Sequence, residues 1–194
     1  FVIKLLSYYI YRFEIKCFKL TFFENYILWA YAQYLNQYEW KDSKKSIRLG
    51  GGFCSQHAIV FDNILKEQGI TSRILDLNGH VLNEVVVDGK WKVYDPQHNV
   101  IFAASMKELE NDSRNPVYVA YKNIGLSESD AKHFQEVFTS DVDNWHYKSS
   151  KAYSIVGYII EKISFYLIWI IPLVFILTGV AIRFYSKKRF PEIR

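Results

Sequence analysis

The residues best suited to chemistry lie in the segment Gly51-Gly52-Phe53-Cys54-Ser55-Gln56-His57-Ala58, which places a cysteine directly after two glycines. Cys54 opens a predicted apolar helix that ends near Gln68, before Gly69. The unpaired N–H groups and the dipole at a helix N-terminus favour the thiolate, which is the nucleophilic form of cysteine. The glycines allow a substrate backbone to approach closely, and the N–H group of Cys54 can form one half of an oxyanion hole. The segment therefore predicts a nucleophilic thiol.

A second set of candidate residues lies on a predicted β-hairpin. The dipeptide Asp88-Gly89 is the preferred two-residue turn and is flanked by valine-rich runs, so Val87 should pair with Lys90. In this register His80 and Asp95 lie on the same face of the hairpin as diagonal neighbours. A shift of one residue would place them on opposite faces.

A carboxylate beside an imidazole can support nucleophilic catalysis. The carboxylate holds the ring in one tautomer and stabilises the imidazolium, while the other ring nitrogen accepts a proton from a thiol. The pattern therefore favours a triad of Cys54, His80 and Asp95.

The order of these motifs resembles the transglutaminase-like superfamily, relatives of the papain-type thiol enzymes, and in particular a bacterial-type, membrane-anchored member. The matching residues are Gly52, Cys54, Ala58, Gly69, Ile70, Arg73, His80, Asn83, Glu84, Val85, Asp88, Gly89, Trp91, Asp95 and Pro96. The resemblance covers residues 50–97. It implies that Cys54 is the nucleophile, His80 the general base and Asp95 the residue that orients His80, and that no cofactor is needed.

The sequence departs from the family pattern at two places. Leu82 stands where the family usually has a tryptophan, two residues after the histidine. Arg48 stands six residues before the cysteine, where a papain-type enzyme carries the glutamine of its oxyanion hole. Gln56 and Trp40 are the remaining candidates for the second oxyanion donor.

Three other interpretations of these residues stay open. Cys17 and Cys54 could form a disulfide in an oxidising compartment. Cys54, His57, His80 and His98 could be imagined as a zinc site, although their spacing matches no recognised finger, and we expect no metal. The chain could also be a catalytically silent relative that acts as a binding module at a membrane.

The favoured function is acyl transfer on an amide or peptide bond of a peptide or protein substrate. An acyl-enzyme would form on Cys54, and water or an amine would resolve it. Water makes the protein a peptidase or amidase and an amine makes it a transglutaminase. The triad residues do not choose between the two.

The second strong signal is Ile163–Ile182, a run of 20 residues without a charge. A helix of that length matches the hydrocarbon thickness of about 30 Å, which predicts one transmembrane helix in contact with membrane lipid. The tail that follows, residues 183–194, holds five basic residues and one acidic residue, while the rest of the chain is neutral. This predicts a cytoplasmic tail, an extracytoplasmic catalytic domain and no nucleic-acid partner.

Weaker local patterns complete the organisation. Arg12 to Cys17 alternates like a short strand. Thr21 with Glu24 forms a capping box for a helix to about Tyr38, and Ser127 with Asp130 forms one for a helix to about Phe138. The segment 41–46 is predicted to be a solvated loop.

The predicted fold class is α+β, a papain/transglutaminase-like core of N-terminal helices packed on an antiparallel sheet, with one C-terminal transmembrane helix. The predicted regions are 1–49, a strand and helix leading into the core; 50–150, the catalytic core and following helices; 151–162, a juxtamembrane stalk; 163–182, the transmembrane helix; and 183–194, the basic tail.

Overall fold

A computed structural model describes residues 2–13, 20–35, 38–139 and 144–189. They fall into two compact units. The first comprises residues 2–13, 39–139 and 144–155, and the second comprises residues 20–35, 38 and 156–189. The first unit carries helices, an antiparallel sheet and all three predicted triad residues. At this level the predicted combination of helices with an antiparallel sheet is confirmed.

The secondary structure of the described residues is as follows. The helices are α1 (Val2–Tyr11), α2 (Tyr26–Leu35), α3 (Ser43–Leu49), α4 (Cys54–Glu67), α5 (Met106–Glu110), α6 (Pro116–Asn123), α7 (Glu128–Thr139), α8 (Ser150–Tyr153) and α9 (Ile155–Arg189). The strands are β1 (Ser72–Leu77), β2 (His80–Val87), β3 (Lys90–Asp95), β4 (Val100–Ile101) and β5 (Trp145–Tyr147).

The five strands form one antiparallel sheet in the order β4-β3-β2-β1-β5. Asp88 and Gly89 join β2 to β3 and have positive φ angles of 55° and 73°, as the preferred two-residue hairpin turn requires. Val87 pairs with Lys90, and Asn83 pairs with Tyr94. The hairpin and its predicted register are therefore confirmed.

Helix α4 packs against one face of the sheet. Its apolar side chains Ala58 and Ile59 are buried with Ile74 of β1 and Val81 of β2. The amide of Asn83 donates to the carbonyl oxygen of Ala58 over 3.1 Å, which fixes β2 to the second turn of the helix. Burying each large apolar side chain contributes about 1.5–3 kcal/mol. This packing holds the N-terminal end of α4 beside the sheet.

Helices α5, α6 and α7 contribute to the apolar core on the opposite face. The cluster consists of Leu75, Leu77, Leu82, Val93, Val100, Phe102, Met106, Leu109, Val117, Tyr121, Ala131, Val137 and Phe138. Glu84 is buried on this side, where it accepts hydrogen bonds from the Met106 N–H group at 2.7 Å and from Arg73 Nε at 2.6 Å. Through these two hydrogen bonds Glu84 links β1 to the start of α5, which is a structural role.

Residues 145–153, which we call the C-terminal strap, are held against β1 and α4. Tyr147 of β5 pairs with Ile74. The Ser150 N–H group donates to the buried Asp62 carboxylate over 2.8 Å, and Lys66 Nζ donates to the Lys148 carbonyl oxygen over 2.7 Å. The strap thus runs antiparallel to α4, from the Lys66 end toward Cys54.

Two expectations for the N-terminal part change. Residues 2–11 form α1, and Arg12 lies in a turn after it, so no strand starts at Arg12; residues 14–17 of the expected strand lie outside the described residues. The segment 43–49 is helix α3, so the predicted loop at 41–46 is wrong from Ser43 onward. Asp42 explains the difference, because its carboxylate accepts from the N–H groups of Lys44 and Lys45 and caps the helix.

In the second unit, the capping box forms but α2 begins later than expected. Thr21 and Glu24 exchange the predicted hydrogen bonds. Helix α2 nevertheless starts at Tyr26, because the Asn25 side chain accepts from the Leu28 N–H group at 3.0 Å. Asn25 Nδ2 also donates to Ser164 Oγ of α9 over 2.9 Å, which ties the two helices of this unit together.

Helix α9 is 35 residues long and includes the uncharged run. Among the described residues it is the one helix long and apolar enough to cross a membrane. Pro172 lies inside it without ending it, as is tolerated in lipid-spanning helices. The predicted boundary at Ile163 corresponds to no break, because the helix begins at Ile155.

Candidate active site

Cys54 is the first residue of α4 and is partly exposed. The residue before it, Phe53, has extended backbone angles and makes no side-chain cap, and the first intrahelical bond runs from the His57 N–H group to the Phe53 carbonyl oxygen at 3.0 Å. The N–H groups of residues 54–56 therefore have no partner within the helix. Gly52 has φ 145°, a backbone conformation that L side chains rarely adopt. Gly52 thus allows the backbone to place the Cys54 thiol at a helix N-terminus that the Phe53 side chain does not cap.

The hairpin brings the other two predicted residues into contact. His80 opens β2 and Asp95 closes β3, and both are buried. Nε2 of His80 lies 2.8 Å from Oδ2 of Asp95, a normal length for a charge-assisted hydrogen bond. The diagonal relation expected from the hairpin register therefore becomes a direct side-chain contact.

The thiol of Cys54 lies close to this pair, and its interaction with the His80 ring raises the pKa of His80. Because Nε2 of the ring is bound to Asp95, Nδ1 is the ring nitrogen left for the thiol. Cys54 is a free thiol, so the structure does not have the Cys17–Cys54 disulfide that the sequence left open. Cys17 lies outside the described residues. The structure thus brings all three predicted residues together.

The charges of the triad are strongly coupled. Burial opposes a charge on His80, but the carboxylate of Asp95 and, to a smaller extent, Cys54 raise the pKa of His80 to about 10. Burial likewise opposes the charge on Asp95, and His80 and His98 overcome it and hold the pKa of Asp95 well below its usual range. A protonated His80 beside an ionised Asp95 is the state that stabilises a thiolate.

Three further residues bind the same carboxylate, two of them through their side chains. Oδ2 of Asp95 accepts from Tyr121 Oη at 2.5 Å and lies 2.9 Å from His98 Nδ1, while Oδ1 accepts from the N–H groups of Gln97 and His98 at 2.9 and 3.2 Å. The sequence singled out His98 only as a zinc ligand. Tyr121 carries no local signal, because it reaches Asp95 from α6.

An aromatic side chain covers the polar cluster. Phe134 of α7 stacks on Tyr121, with ring centroids 4.1 Å apart and planes 9° apart. It meets the rings of His80 and His98 edge-on, with centroids 5.0 and 5.1 Å away. Leu82, two residues after His80, lies in the core. Phe134 therefore supplies an aromatic neighbour to His80 from a different element.

The structure narrows the search for the second oxyanion donor. The side chain of Gln56 is buried and bound twice to the backbone of Trp40: Nε2 donates to the carbonyl oxygen over 2.8 Å and Oε1 accepts from the N–H group at 2.7 Å. Gln56 therefore anchors the segment before α3 and is not aimed at a substrate. The candidates that remain for the second donor are the N–H groups at the start of α4 and the side chain of Trp40, which is buried.

The described residues contain one group that could hold a metal: His80, Asp95 and His98, whose ligand atoms lie within 4.8 Å of one another. It shares His80 and His98 with the zinc site considered from the sequence but includes neither Cys54 nor His57. Ligands of a tetrahedral zinc at about 2.1 Å lie roughly 3.4 Å apart. Asp95 Oδ2 lies 2.8 Å from His80 Nε2 and 2.9 Å from His98 Nδ1. These distances are shorter than the spacing of zinc ligands and are those of direct hydrogen bonds.

His57 has a separate role in the helix. Its Nδ1 lies 2.8 Å from the Phe53 carbonyl oxygen, one turn earlier. Burial lowers the pKa of His57, so the neutral ring with a proton on Nδ1 is favoured. The ring packs against Phe13, with centroids 5.6 Å apart. His57 therefore supports the turn that presents Cys54.

No protein-family model matches the chain, and no curated protein matches it.

Proposed function

We propose that this chain is a membrane-anchored thiol enzyme of the transglutaminase-like kind, which transfers acyl groups from amide or peptide bonds. The observation that carries the proposal is the hydrogen-bonded pair of Asp95 and His80 beside Cys54, whose thiol acts on His80 from an uncapped helix N-terminus. Nucleophile, base and orienting acid meet where developing negative charge is stabilised.

The proposed reaction follows from these positions. The Cys54 thiolate attacks the substrate carbonyl carbon, and the N–H groups at the start of α4 stabilise the oxyanion. His80 gives its proton to the leaving amine as the C–N bond breaks, which leaves an acyl group on sulfur. His80 then takes a proton from water or from an amine, whose oxygen or nitrogen bonds to the acyl carbon as the C–S bond breaks. The acceptor decides between hydrolysis and transamidation.

Thiol reactivity tests the proposal without a known substrate. We expect iodoacetamide to alkylate Cys54 at least about tenfold faster than Cys17 near pH 6.5, because only a thiolate reacts and His80 stabilises it. The His80→Ala variant should lose most of this advantage, whereas His133→Ala, which changes an exposed histidine on α7, should keep it. Rates are read by mass spectrometry of tryptic peptides. Equal rates at both cysteines across the pH range would contradict a catalytic thiol.

A metal centre is the second candidate function, favoured by the grouping of His80, Asp95 and His98. A metal centre requires bound zinc, whereas the thiol triad requires none. One zinc per purified chain, lost together in His80→Ala and His98→Ala but kept in Cys54→Ala, would support a metal site in place of the thiol triad. Alkylation of Cys54 that is fast in metal-free buffer would support the thiol enzyme.

We also propose that the uncharged run in α9 anchors the protein as a single pass. The run is long enough for a bilayer, and four basic residues follow within seven positions: Arg183, Lys187, Lys188 and Arg189. Anionic headgroups and the membrane potential favour such a cluster on the cytoplasmic side. The triad would then act on extracytoplasmic polypeptides.

Fractionation and proteolysis check this placement. The protein is expected to stay with membranes in alkaline carbonate, because the apolar helix is not released by charge or pH. Protease added to intact cells should digest the triad domain and spare a C-terminal tag. Release of the protein by carbonate would show that α9 does not span the membrane. A cleaved tag with a protected triad domain would show that the orientation is the reverse of the one proposed.

A further inference from the structure

The segment of residues 20–35 is fastened to α9 at the level where the uncharged run begins. Asn25 Nδ2 donates to Ser164 Oγ over 2.9 Å, and Tyr26 Oη donates to the Leu167 carbonyl oxygen over 3.3 Å. Both acceptors belong to the uncharged run, and Leu167 lies about 6 Å along the helix from the first residue of the run. The start of α2 therefore lies beside the first turns of the run.

The residues of α9 just before the run mark the polar side of this level. Oε2 of the buried Glu161 accepts from Tyr38 Oη at 2.5 Å, so protein covers this carboxyl group. Lys162 is exposed, and its Nζ lies 4.8 Å from the centre of the Tyr158 ring. A lysine and a tyrosine at the end of a spanning helix are typical of the headgroup layer. The boundary between headgroups and hydrocarbon is therefore expected near residue 163 of α9.

The attached segment is apolar and aromatic. Residues 20–35 include one charged residue, Glu24, whose carboxylate is bound in the capping box with Thr21. The ten residues of α2 carry no charge. The turn before α2 exposes 96% of Phe23 and 52% of Phe22. The capping box thus fixes a turn whose tip consists of two adjacent phenylalanines.

The exposed rings belong to an aromatic cluster. The centroid of the Phe22 ring lies between 5.6 and 5.8 Å from the centroids of three other rings, those of Phe23, Tyr26 and Trp29. Tyr26 is also the residue that reaches Leu167, so the cluster lies at the level of the run. A contiguous apolar surface is unfavourable in water and marks an interaction site. Because aromatic side chains are enriched where hydrocarbon meets the headgroups, the level and the composition of the cluster both favour lipid as its partner.

We propose that Phe22 and Phe23 insert into the bilayer at the headgroup boundary, so that residues 20–35 form a second, interfacial anchor beside α9. The inference rests on the proposed membrane span, and its partner is the lipid of that same bilayer. A single spanning helix can tilt and rotate in the membrane, and an aromatic anchor tied to Ser164 restricts both motions. The interfacial anchor therefore sets which face of α9 meets the lipid.

Spin labelling at position 23 tests the inference. The 194-residue chain carries Cys17→Ala and Cys54→Ala, and a nitroxide is attached to Phe23→Cys before reconstitution into vesicles of phosphatidylcholine and phosphatidylglycerol. Phe23 is almost fully exposed, so this substitution removes little packing. Labels at Trp169→Cys, exposed within the run, and at Lys122→Cys, exposed near the end of α6, serve as the lipid and water references.

Oxygen, which concentrates in lipid, is expected to relax the label at position 23, and a water-soluble nickel chelate should lose most of the effect that it has at position 122. The two measurements together should place the label about 5–10 Å below the headgroup boundary. Relaxation by nickel as strong as at position 122 would overturn the inference. A label shielded from both reagents would also overturn it, because protein would then cover the phenylalanines. Spin–spin broadening would identify that cover as a second copy of the chain.

The reference label at position 169 separates this inference from the span on which it rests. A label that is in lipid at position 169 but in water at position 23 would leave the span in place and remove the interfacial anchor alone. A label that is in water at position 169 would remove both.

Discussion

Replacing Cys54 by alanine is expected to reduce acyl transfer by about 10⁴-fold or more, because no other group in the site can form the covalent intermediate. Cys54→Ser should be almost as inactive, since a hydroxyl is similar in size to a thiol but is not ionised near neutral pH. Cys54 is partly exposed at the start of α4, so neither change should disturb folding.

The measurement uses p-nitrophenyl acetate as an activated acyl donor. The wild-type chain should release p-nitrophenol in a burst and carry an acetyl group on Cys54 by mass spectrometry, and Cys17→Ala should behave like the wild type. Turnover of Cys54→Ala at the wild-type rate would show that Cys54 is not the nucleophile. If the wild type itself forms no acyl-enzyme but binds a polypeptide partner equally well with and without the thiol, the silent binding module is the better description.

Asp95→Asn is expected to lose about 10³–10⁴-fold in acyl transfer and to lower the free energy of unfolding by about 3–5 kcal/mol. Both carboxylate oxygens of Asp95 accept hydrogen bonds, one from three side chains and the other from two backbone N–H groups. An asparagine has one acceptor oxygen, so either orientation of its amide points N–H groups at other donors. His80 then loses both its orientation and its counter-charge.

The same variant should change how stability depends on pH. The pKa of His80 is raised in the folded state, so this group contributes stability that is complete below about pH 6.5 and is lost as the pH rises toward about 10. The pKa of Asp95 is depressed, so its contribution is present above its unfolded value and is lost as the pH falls below about 4. Both arise from one ion pair and disappear together in Asp95→Asn.

Urea unfolding across the pH range checks this expectation. The wild-type chain should show a broad maximum that declines on the alkaline side between pH 6.5 and about 10, and Asp95→Asn should be flatter there. Asp88→Asn is the matched control, because it changes an exposed carboxylate to an amide in a turn that Asn-Gly also favours. Parallel curves for the wild type and Asp95→Asn would mean that the pair does not couple folding to pH.

The central hairpin shows what the sequence determines by itself. Asp88-Gly89 specifies a turn, the turn specifies the pairing of β2 with β3, and the side-chain alternation then places His80 and Asp95 on one face. Helix α4 is equally local, with glycines before Cys54 and Gly69, at φ 72°, after its end. The uncharged run in α9 is visible from composition alone.

Other features were decided only by the tertiary structure. Tyr121 and Phe134 lie on α6 and α7, and they reach Asp95 and His80 only because these helices pack on the sheet. Helix α3 depends on the Asp42 cap and on Trp40, which Gln56 of a different helix holds in place. Spacing along the chain encodes turns and faces, whereas contacts between distant elements are selected by which apolar surfaces bury each other. The candidate triad is therefore readable from the sequence, and the side chains of α6 and α7 that pack around Asp95 and His80 are not.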